Sequence, residues 1–273
     1  MPIIIKSEDE IAIMREAGDI VADVLELLAR AVRPGLIVRE LDRMVSEEYE
    51  RRKVVPTFLG YQPGPAYTPY PARVCVSVND EIVHAIPGKR VLQEGDIVSL
   101  DLGATSRGFV ADSALTVGVG EISLEAQRLI DITYQSLREG IAAARPGARL
   151  GAVSHAIQAC AEAQGFAVVR EYVGHGVGRD MHEDPPVPNY GSPERGPVLR
   201  KGMVLALEPM LNAGDWRTKR HDDLWTVSTL DGSLSAHFEH TIAITDGEPE
   251  VLTLRSDERP IAALTGVASG RKD

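Results

Sequence analysis

One strand-like segment that occurs twice constrains the fold of this chain more than any other feature of its sequence. Residues 91–101 read V-L-x-x-G, then an apolar run, then the carboxylate of Asp101. Residues 198–208 repeat this form in the second half of the chain and end at Glu208. Such a repeat predicts a duplicated fold in which each half directs one acidic side chain towards a common site. Two carboxylates at one place repel each other unless a proton or a metal ion lies between them, so the repeat is the best lead to function.

The helical segments repeat in the same order as the strand-like segment. Ser7 and Glu10 form a capping-box pattern at the start of an apolar helical periodicity, and Ser123 begins a similar stretch later in the chain. Each stretch ends at an Arg-Pro-Gly sequence, because proline cannot continue a helix, and a second helix follows each one. The predicted helices cover residues 7–33, 38–52, 123–145 and 153–161.

Most of the remaining sequence consists of β-favouring runs separated by turns. Strands are predicted at 74–78, 97–101, 109–117, 167–173, 203–208, 224–229 and 236–245, with a tight turn at 106–108. Each half, about residues 7–120 and 121–254, is therefore two helices followed by several strands. The predicted fold class is α+β, with both halves in one catalytic domain over residues 1–258 and residues 259–273 as a loose tail.

Length and composition indicate a soluble, acidic globular protein. The 273 residues can bury one large core or two closely packed halves, and 44% hydrophobic and 25% charged residues are ordinary proportions. A net charge of −11 argues against nucleic acid or an anionic membrane as the main partner. The two cysteines lack the spacing of a thiolate zinc site or a disulfide framework. Without a signal peptide or an apolar run of roughly 20 residues, a cytoplasmic location is expected.

Two further acids extend the repeat. Asp112 and Glu239 each lie inside an apolar, β-favouring run that continues into Thr-Val or Thr-Ile. A carboxylate among strand residues is expected to be partly buried, and a buried acid must be paired, protonated or bound to a metal. For one acid alone, an exposed or salt-bridged residue is the simpler explanation. Together with Asp101 and Glu208, however, these acids form two symmetric pairs across the duplication, and this favours a shared site.

The candidate nitrogen ligands lie in the glycine-rich run 172–182. His175 stands between two glycines, which allow close approach of the backbone to another group. A dinucleotide-binding loop is excluded, because two prolines at 185–186 occupy the place where its phosphate-binding helix would begin. His182 shares a weak H-x-x-P match with His84, and this match predicts that the two histidines flank the site from opposite sides.

The ligand types predict the metal and the reaction class. Four carboxylates and one imidazole form an oxygen-rich set that suits two divalent ions of manganese, iron, cobalt or zinc, and not a structural zinc. Two metals that share carboxylates can lower the pKa of a bound water and polarise a carbonyl group. The implied reaction class is hydrolysis.

With these residues identified, the chain resembles the type I, bacterial-type methionine aminopeptidases, which have the pita-bread fold of two pseudo-symmetric halves. The resemblance covers about residues 11–254. The motifs that carry it are V-N-x-x-x-x-H-x-I-P at 78–87, the Asp101 and Asp112 pair, the run 172–190, L-E-P-M at 207–210 and S-A-H-F-E-H-T at 235–241. Any one of these motifs is only indicative, whereas all of them in order are specific.

The resemblance implies a role for each candidate ligand. Asp112 and Glu239 are expected to bridge the two metals, Asp101 to chelate one, and His175 with Glu208 to hold the other. A bridging water or hydroxide is the expected nucleophile.

The resemblance also implies three catalytic residues. Glu208 is the candidate for moving the proton of the water. His84 is expected to contact the substrate amide and help the leaving amine, and His182 to stabilise the scissile carbonyl oxygen. Each such hydrogen bond or proton transfer is typically worth about 10² to 10⁴ in rate.

A methionine side chain needs an apolar, polarisable pocket. The resemblance implies that its walls are Phe58, Tyr61, Tyr70, Cys75, Met181 and Trp225. Ordinary core packing is the alternative explanation, and for Phe58 the two are equally open. A small residue is expected at position 58, where this chain has Phe58, and a phenylalanine at position 181, where it has Met181. The loop at 62–69 is also longer than usual in the family. These departures concern the pocket and its entrance, not the metal ligands.

The function implied is removal of the initiator methionine from nascent chains whose second residue is small. The resemblance implies a monomer that makes transient contact with the ribosome. One rival is a proline-specific peptidase of the same fold, although those enzymes usually carry an additional N-terminal domain. Another is a non-catalytic relative that binds peptide or ribosome, although such proteins typically lose ligands and all five are present here.

Overall fold

A computed structural model describes residues 2–258 of the protein. Four α-helices occur in this range: α1 (Glu8–Ala31), α2 (Arg39–Arg52), α3 (Leu124–Ala143) and α4 (Leu150–Ala163). The predicted capping box is present, since the Glu10 amide donates to Ser7 Oγ at 3.2 Å and the Ser7 amide donates to the Glu10 carboxylate at 3.0 Å. Ser123 caps α3 by accepting from the amide of Ala126. The predicted tail at 259–273 lies outside the described residues.

The strands are short, except for two long ones in the first half. They are β1 (Val55–Pro56), β2 (Cys75–Val78), β3 (Glu81–Val83), β4 (Ile97–Ser106), β5 (Phe109–Gly118), β6 (Ala167–Val168), β7 (Gly174–Gly176), β8 (Glu183–Val187), β9 (Val204–Leu207), β10 (Met210–Asn212), β11 (Thr218–Arg220), β12 (Val227–Thr229), β13 (Ser235–His237), β14 (Glu239–Ala243) and β15 (Glu250–Val251). A 3₁₀ turn, Ser256–Glu258, closes the described chain.

A central antiparallel sheet joins the two halves. Its order is β1-β4-β5-β14-β9-β7-β8, with β2 paired to β4 and β15 paired to β14. The halves meet where β5 pairs with β14, and the hairpin β4-β5 on one side corresponds to β14-β9 on the other. Two three-stranded sheets, β13-β10-β6 and β11-β12-β3, lie beside it. Each half has two helices before its strands, and the fold is α+β as predicted.

Equivalent hydrogen bonds in the two halves show the duplication directly. The amide of Gly35, just after α1, donates to the carbonyl of Leu92 at 2.8 Å. In the second half the amide of Gly147, just after α3, donates to the carbonyl of Leu199 at 2.9 Å. Both glycines have φ near +86° (86° and 85°), a left-handed conformation in which other residues are strained. The Arg-Pro-Gly helix stop and the V-L-x-x-G strand signal are therefore bonded partners within each half.

The helices cover the outer face of the sheet. α1 packs on β4 and β5, and α3 packs on α4. The apolar residues of α1 recur at helical spacing and are fully buried, among them Met14, Val21, Leu25 and Leu28. At about 25 cal/mol per Å² of apolar surface removed from water, this burial is the main favourable term that holds the helix on the sheet.

Three predicted strands differ from the structure, two of them for identifiable reasons. The run 236–245 is divided at Phe238, whose amide donates to the carbonyl of Pro209 at 3.3 Å, so that β13 and β14 enter different sheets. The run 224–229 begins only at Val227, because the Asp223 carboxylate accepts from two following amides and holds a turn. The run 167–173 is a strand only over Ala167–Val168.

The length and apolar character of the helices show whether any of them could span a membrane. None of the helices in the range 2–258 combines the length and apolar character needed to cross a bilayer.

Candidate active site

One cavity of about 450 Å³ gathers the residues that the sequence singles out. It lies where the central sheet faces the turns after β1, β7 and β11. Its walls include the predicted ligands, the two predicted catalytic histidines and the predicted pocket, namely Asp101, Asp112, His175, Glu208, Glu239, His84, His182, Phe58, Tyr61, Tyr70, Cys75, Met181 and Trp225. Residues from both halves therefore converge on one space.

The acids stand on neighbouring strands of the central sheet. Asp101 lies on β4 and Asp112 on β5, while Glu239 begins β14 and Glu208 directly follows β9. Asp101 and Glu239 both pair with Ala114 of β5, one from each side, so their side chains lie on the same face of the sheet. His175 on β7 pairs with Ala206 of β9.

The side-chain atoms lie at distances that suit metal ligation. One oxygen of Asp112, one of Glu239 and a ring nitrogen of His175 are all within 4.8 Å of one another. Asp101 and Glu208 lie outside this trio but adjoin it. Asp101 lies on β4, which pairs with the strand of Asp112, and Glu208 Oε1 is 3.6 Å from His175 Nε2.

Several of these buried atoms lack a hydrogen-bond partner anywhere in the range 2–258. They are Oδ1 of Asp101, Oδ1 of Asp112 and Oε1 of Glu239. Buried polar atoms are nearly always satisfied, so each exception needs a reason. Unsatisfied carboxylate oxygens that converge beside an imidazole are the donor set of a divalent cation of the transition series. The residues present therefore fit a metal centre.

The electrostatics of the acids agree with that fit. Burial raises the pKa of Asp112 to about 7. Burial, and then the negative charge of Asp112, raises the pKa of Glu208 and of Glu239 well above the ordinary value, and the same two causes act on Asp101. A cation beside these acids would offset both effects and stabilise their ionised forms.

His175 is prepared as a neutral ligand. Burial lowers its pKa to about 3, so the imidazole carries no charge at neutral pH. Its Nδ1 lies 2.9 Å from the carbonyl oxygen of Gly176 and donates to it, since a carbonyl can only accept. The Nε2 lone pair therefore faces Glu208 and the acids, which is the tautomer that a metal ligand needs.

The other two histidines lie between the acids and the apolar part of the cavity. His84 has φ of 60° and packs edge-on against Tyr172, with ring centroids 5.7 Å apart. Burial lowers the pKa of His84 to about 4, and burial also lowers the pKa of His182. The ring of His182 lies 4.2 Å from that of His175, and its Nδ1 is 2.7 Å from the hydroxyl of Tyr61.

A buried ion pair fixes the turn that carries His182. Lys6 Nζ lies 2.6 Å from Glu183 Oε2, and both side chains are only 3% exposed. The second oxygen of Glu183 accepts from the amide of Arg179 at 2.9 Å. The segment before α1 therefore holds the turn 179–183 through a charge contact inside the protein.

The predicted pocket residues form one aromatic cluster. Phe58, Tyr70, Cys75 and Trp225 are buried together, and Tyr61 and Met181 pack against them. Tyr70 meets Trp225 edge-to-face with ring centroids 5.0 Å apart. These side chains, Phe58 among them, are therefore both part of the packed core and part of the cavity wall.

Sequence reasoning assigned no role to His237. This residue is 1% exposed, and neither ring nitrogen has a hydrogen-bond partner in the described chain. Its Nε2 lies 4.0 Å from Glu208 Oε2 and 3.9 Å from Glu239 Oε2. Its position two residues before Glu239 was the available signal, because alternate residues of an extended chain share a face.

Two residues at the mouth of the cavity were also missed. Tyr67 and Arg220 line it, and Arg220 Nη1 donates to the Tyr67 hydroxyl at 2.9 Å. The unusual length of the 62–69 loop was the only signal in the sequence.

The sequence of this chain is similar to those of known metallopeptidases. The model of Metallopeptidase family M24 matches residues 12–246. The chain is 50% identical over 251 residues to methionine aminopeptidase 1 of Bacillus subtilis, with 92% of this chain and 99% of that protein covered. It is 49% identical over 253 residues to a methionine aminopeptidase of Clostridium acetobutylicum, again with 92% and 99% covered.

Solved structures agree with the sequence comparison. The methionine aminopeptidase of Thermotoga maritima superposes with a TM-score of 0.89 at 47% identity, covering 92% of this chain and 99% of that one. The prolidase of Pyrococcus horikoshii has a TM-score of 0.72 at 22% identity, covering 93% of this chain and 64% of that one, and this likeness bears on the fold alone. The fold is the pita-bread fold, and the chain belongs to metallopeptidase family M24.

Proposed function

We propose that this chain is a methionine aminopeptidase, a metal-dependent exopeptidase that removes the initiator methionine when the second residue is small. The observation that carries the proposal is the convergence of buried, unsatisfied acid oxygens and the neutral His175 at the floor of an aromatic cavity. The relatives of about 50% identity carry this name and are covered almost completely.

We propose two divalent ions, of manganese, iron, cobalt or zinc, at this floor. Asp112 and Glu239 would bridge them, Asp101 would hold one, and His175 with Glu208 would hold the other. The acids lie on, or directly after, four neighbouring strands, which supports a shared centre and not separate sites. When bound, such ions lower the pKa of a coordinated water and polarise the substrate carbonyl group.

The remaining chemistry belongs to side chains of the chain itself. Glu208 lies at the edge of the acid cluster, beside the cavity, and would accept a proton there and transfer it to the leaving amine. His84 would donate a hydrogen bond to the substrate amide from the opposite wall. His182 would donate from Nε2 to the scissile carbonyl oxygen in the tautomer whose Nδ1 accepts from the hydroxyl of Tyr61, 2.7 Å away.

The aromatic cluster would bind the methionine side chain. Phe58, Tyr61, Tyr70, Cys75, Met181 and Trp225 offer apolar and polarisable surface. A thioether makes favourable contacts with aromatic rings at about 5 Å. Phe58 is larger than the residue usual at its position, so the pocket would be narrower at that wall and poorly suited to substrates with bulkier first residues.

His237 would act through the acids and not on the substrate. Its Nε2 lies between Glu208 and Glu239 and can donate a hydrogen bond to either carboxylate after a small side-chain rotation. Groups that orient ligating carboxylates typically affect metal affinity by 10- to 100-fold. We therefore assign His237 as a positioning residue.

The wider biological setting rests on the resemblance to the family. We propose one catalytic domain over residues 1–258, acting as a monomer in the cytoplasm on the N-termini of nascent chains and in transient contact with the ribosome. The acidic net charge is consistent with a peptide substrate and not with nucleic acid.

The test is peptide hydrolysis by protein stripped of metal and reloaded with Mn, Fe, Co or Zn. Release of methionine from Met-Ala-Ser, with no cleavage of Ala-Pro, is expected for at least one metal. Cleavage of Ala-Pro alone would establish a proline-specific peptidase instead. Binding of neither metal nor peptide would indicate a non-catalytic relative.

A further inference from the structure

The loop after β1 forms an ordered lip over the cavity. The amide of Tyr70 donates to the carbonyl of Tyr61 at 2.9 Å, which closes the loop at its base. Within the loop, Gln62 Nε2 donates to the carbonyl of Tyr67 at 2.6 Å. The indole N–H of Trp225 donates to the carbonyl of Thr68 at 3.0 Å. The lip, defined as residues 61–70, is therefore bonded both to itself and to the second half of the protein.

Arg220 on β11 holds the tip of this lip. Its Nη1 donates to the hydroxyl of Tyr67 at 2.9 Å, and its guanidinium carbon lies 5.4 Å from the centre of that ring. Tyr67 in turn packs on Trp225, with ring centroids 5.3 Å apart. Both Arg220 and Tyr67 line the cavity that contains the acids. The guanidinium thus stands at the mouth of the site in a fixed position.

The charge of Arg220 is not neutralised within the described chain. Across residues 2–258 no carboxylate forms an ion pair with it, although acids outnumber bases by 40 to 29 in the sequence. Arg217, the residue before β11, is by contrast paired with Asp215 at 2.5 Å. Lys219 precedes Arg220 on β11 and does not line the cavity, because successive strand residues point to opposite faces.

We propose that Arg220 binds a carboxylate of the substrate beyond its second residue, so that acidic peptides are preferred. This inference rests on the proposed function and extends it from the first two residues to the rest of the substrate. A guanidinium has five donors in a planar fork that matches a carboxylate, and the bond to Tyr67 leaves most of them free. The methionine pocket and the acids lie deeper in the same cavity, so a peptide bound there leaves past the lip.

The carboxylate can come from two sources, which are an aspartate or glutamate side chain and the C-terminus of a short peptide. Exposed charge pairs contribute 0.2–1 kcal/mol, which corresponds to at most about a five-fold effect. We therefore expect kcat/KM to be about two- to five-fold higher for an acidic residue than for its neutral isostere. A lysine at the same position is expected to lower kcat/KM further.

The experiment compares C-terminally amidated peptides with Asp, Asn or Lys at the third position and, in a second series, at the fourth. Met-Ala-Ala as free acid and as amide tests the terminal carboxylate separately. Each peptide is assayed with the metal-loaded wild type, with Arg220→Gln and with the matched control Lys219→Gln. Low and high salt are compared for every pair.

The expected result is a preference for Asp over Asn over Lys in the wild type and in Lys219→Gln. This preference should act mainly through KM, weaken at high salt and disappear in Arg220→Gln. Equal preferences in wild type and Arg220→Gln would overturn the inference. So would a uniform loss over all peptides in Arg220→Gln, because that result would mean that Arg220 only supports the lip. If no peptide released methionine, the proposed function itself would fail.

Discussion

The buried pair of Lys6 and Glu183 gives the sharpest prediction about stability. Both side chains are 3% exposed and their charged atoms are 2.6 Å apart. Lys6→Met removes one charge and leaves the carboxylate of Glu183 buried with only backbone donors, such as the amide of Arg179. Breaking a buried pair in this way costs about 3–5 kcal/mol. For a chain of this size that cost lowers Tm by roughly 6–20 °C.

The assay is urea and thermal unfolding of Lys6→Met, Glu183→Gln and the double variant. The double variant removes both charges, so it should recover much of the loss, because no unpaired charge stays buried. Lys201→Met is the matched control, since Lys201 is half exposed and pairs with the exposed Asp246 at 2.7 Å. That control should lose less than about 1 kcal/mol.

The same variants test whether the pair positions His182. Because Glu183 holds the turn 179–183, Lys6→Met should lower kcat at temperatures where it is fully folded, and Lys6→Arg should restore part of the rate. Equal stability of Lys6→Met and the Lys201→Met control would contradict a stabilising role of the buried pair. A double variant that loses the sum of the two single losses would contradict it as well.

Two further outcomes follow from other contacts. His237→Leu should weaken metal binding by about 10- to 100-fold in calorimetry, and His237→Gln, which keeps a donor, should restore most of it; equal affinities in all three proteins would contradict the positioning role. Burial opposes ionisation of Glu258, but the hydrogen bond from His240 and the charge of Arg255 outweigh it and lower the pKa from 4.5 to about 2. The pKa of Glu258 is lower in the folded than in the unfolded state, so the ionised carboxylate stabilises the fold. This contribution is complete above about pH 4.5 and is lost as the pH falls towards 2. Glu258→Gln should therefore destabilise the protein at pH 7, by at most about 3 kcal/mol. In unfolding titrations it should also reduce the fall in the free energy of unfolding between about pH 4.5 and pH 2.

Features set by neighbouring residues were predictable from the sequence. The capping box at Ser7, the helix stops before Gly35 and Gly147 and the apolar strand around Asp112 all depend on local sequence or on one backbone requirement. The duplication added long-range information, because it related Asp101 to Glu208 before any contact was known.

Features set by contacts between distant residues could not be predicted. Lys6 meets Glu183 across 177 positions and Arg220 meets Tyr67 across 153, and nothing in either local sequence specifies the partner. The division of the 236–245 run at Phe238 depends on the carbonyl of Pro209, which belongs to another element. The place of His237 beside Glu208 likewise depends on a distant residue, although its spacing of two residues from Glu239 is local.

The central claim is that the buried acids and His175 hold the metal ions that make methionine release possible. It is tested most directly by measuring bound metal per chain against the rate of Met-Ala-Ser cleavage during a metal titration, in wild type and in Asp112→Ala. The wild type should gain activity in step with metal that saturates at two ions per chain, and folded Asp112→Ala should lose both tight metal binding and turnover. Cleavage of the peptide by metal-free protein, or wild-type activity in Asp112→Ala, would contradict the account.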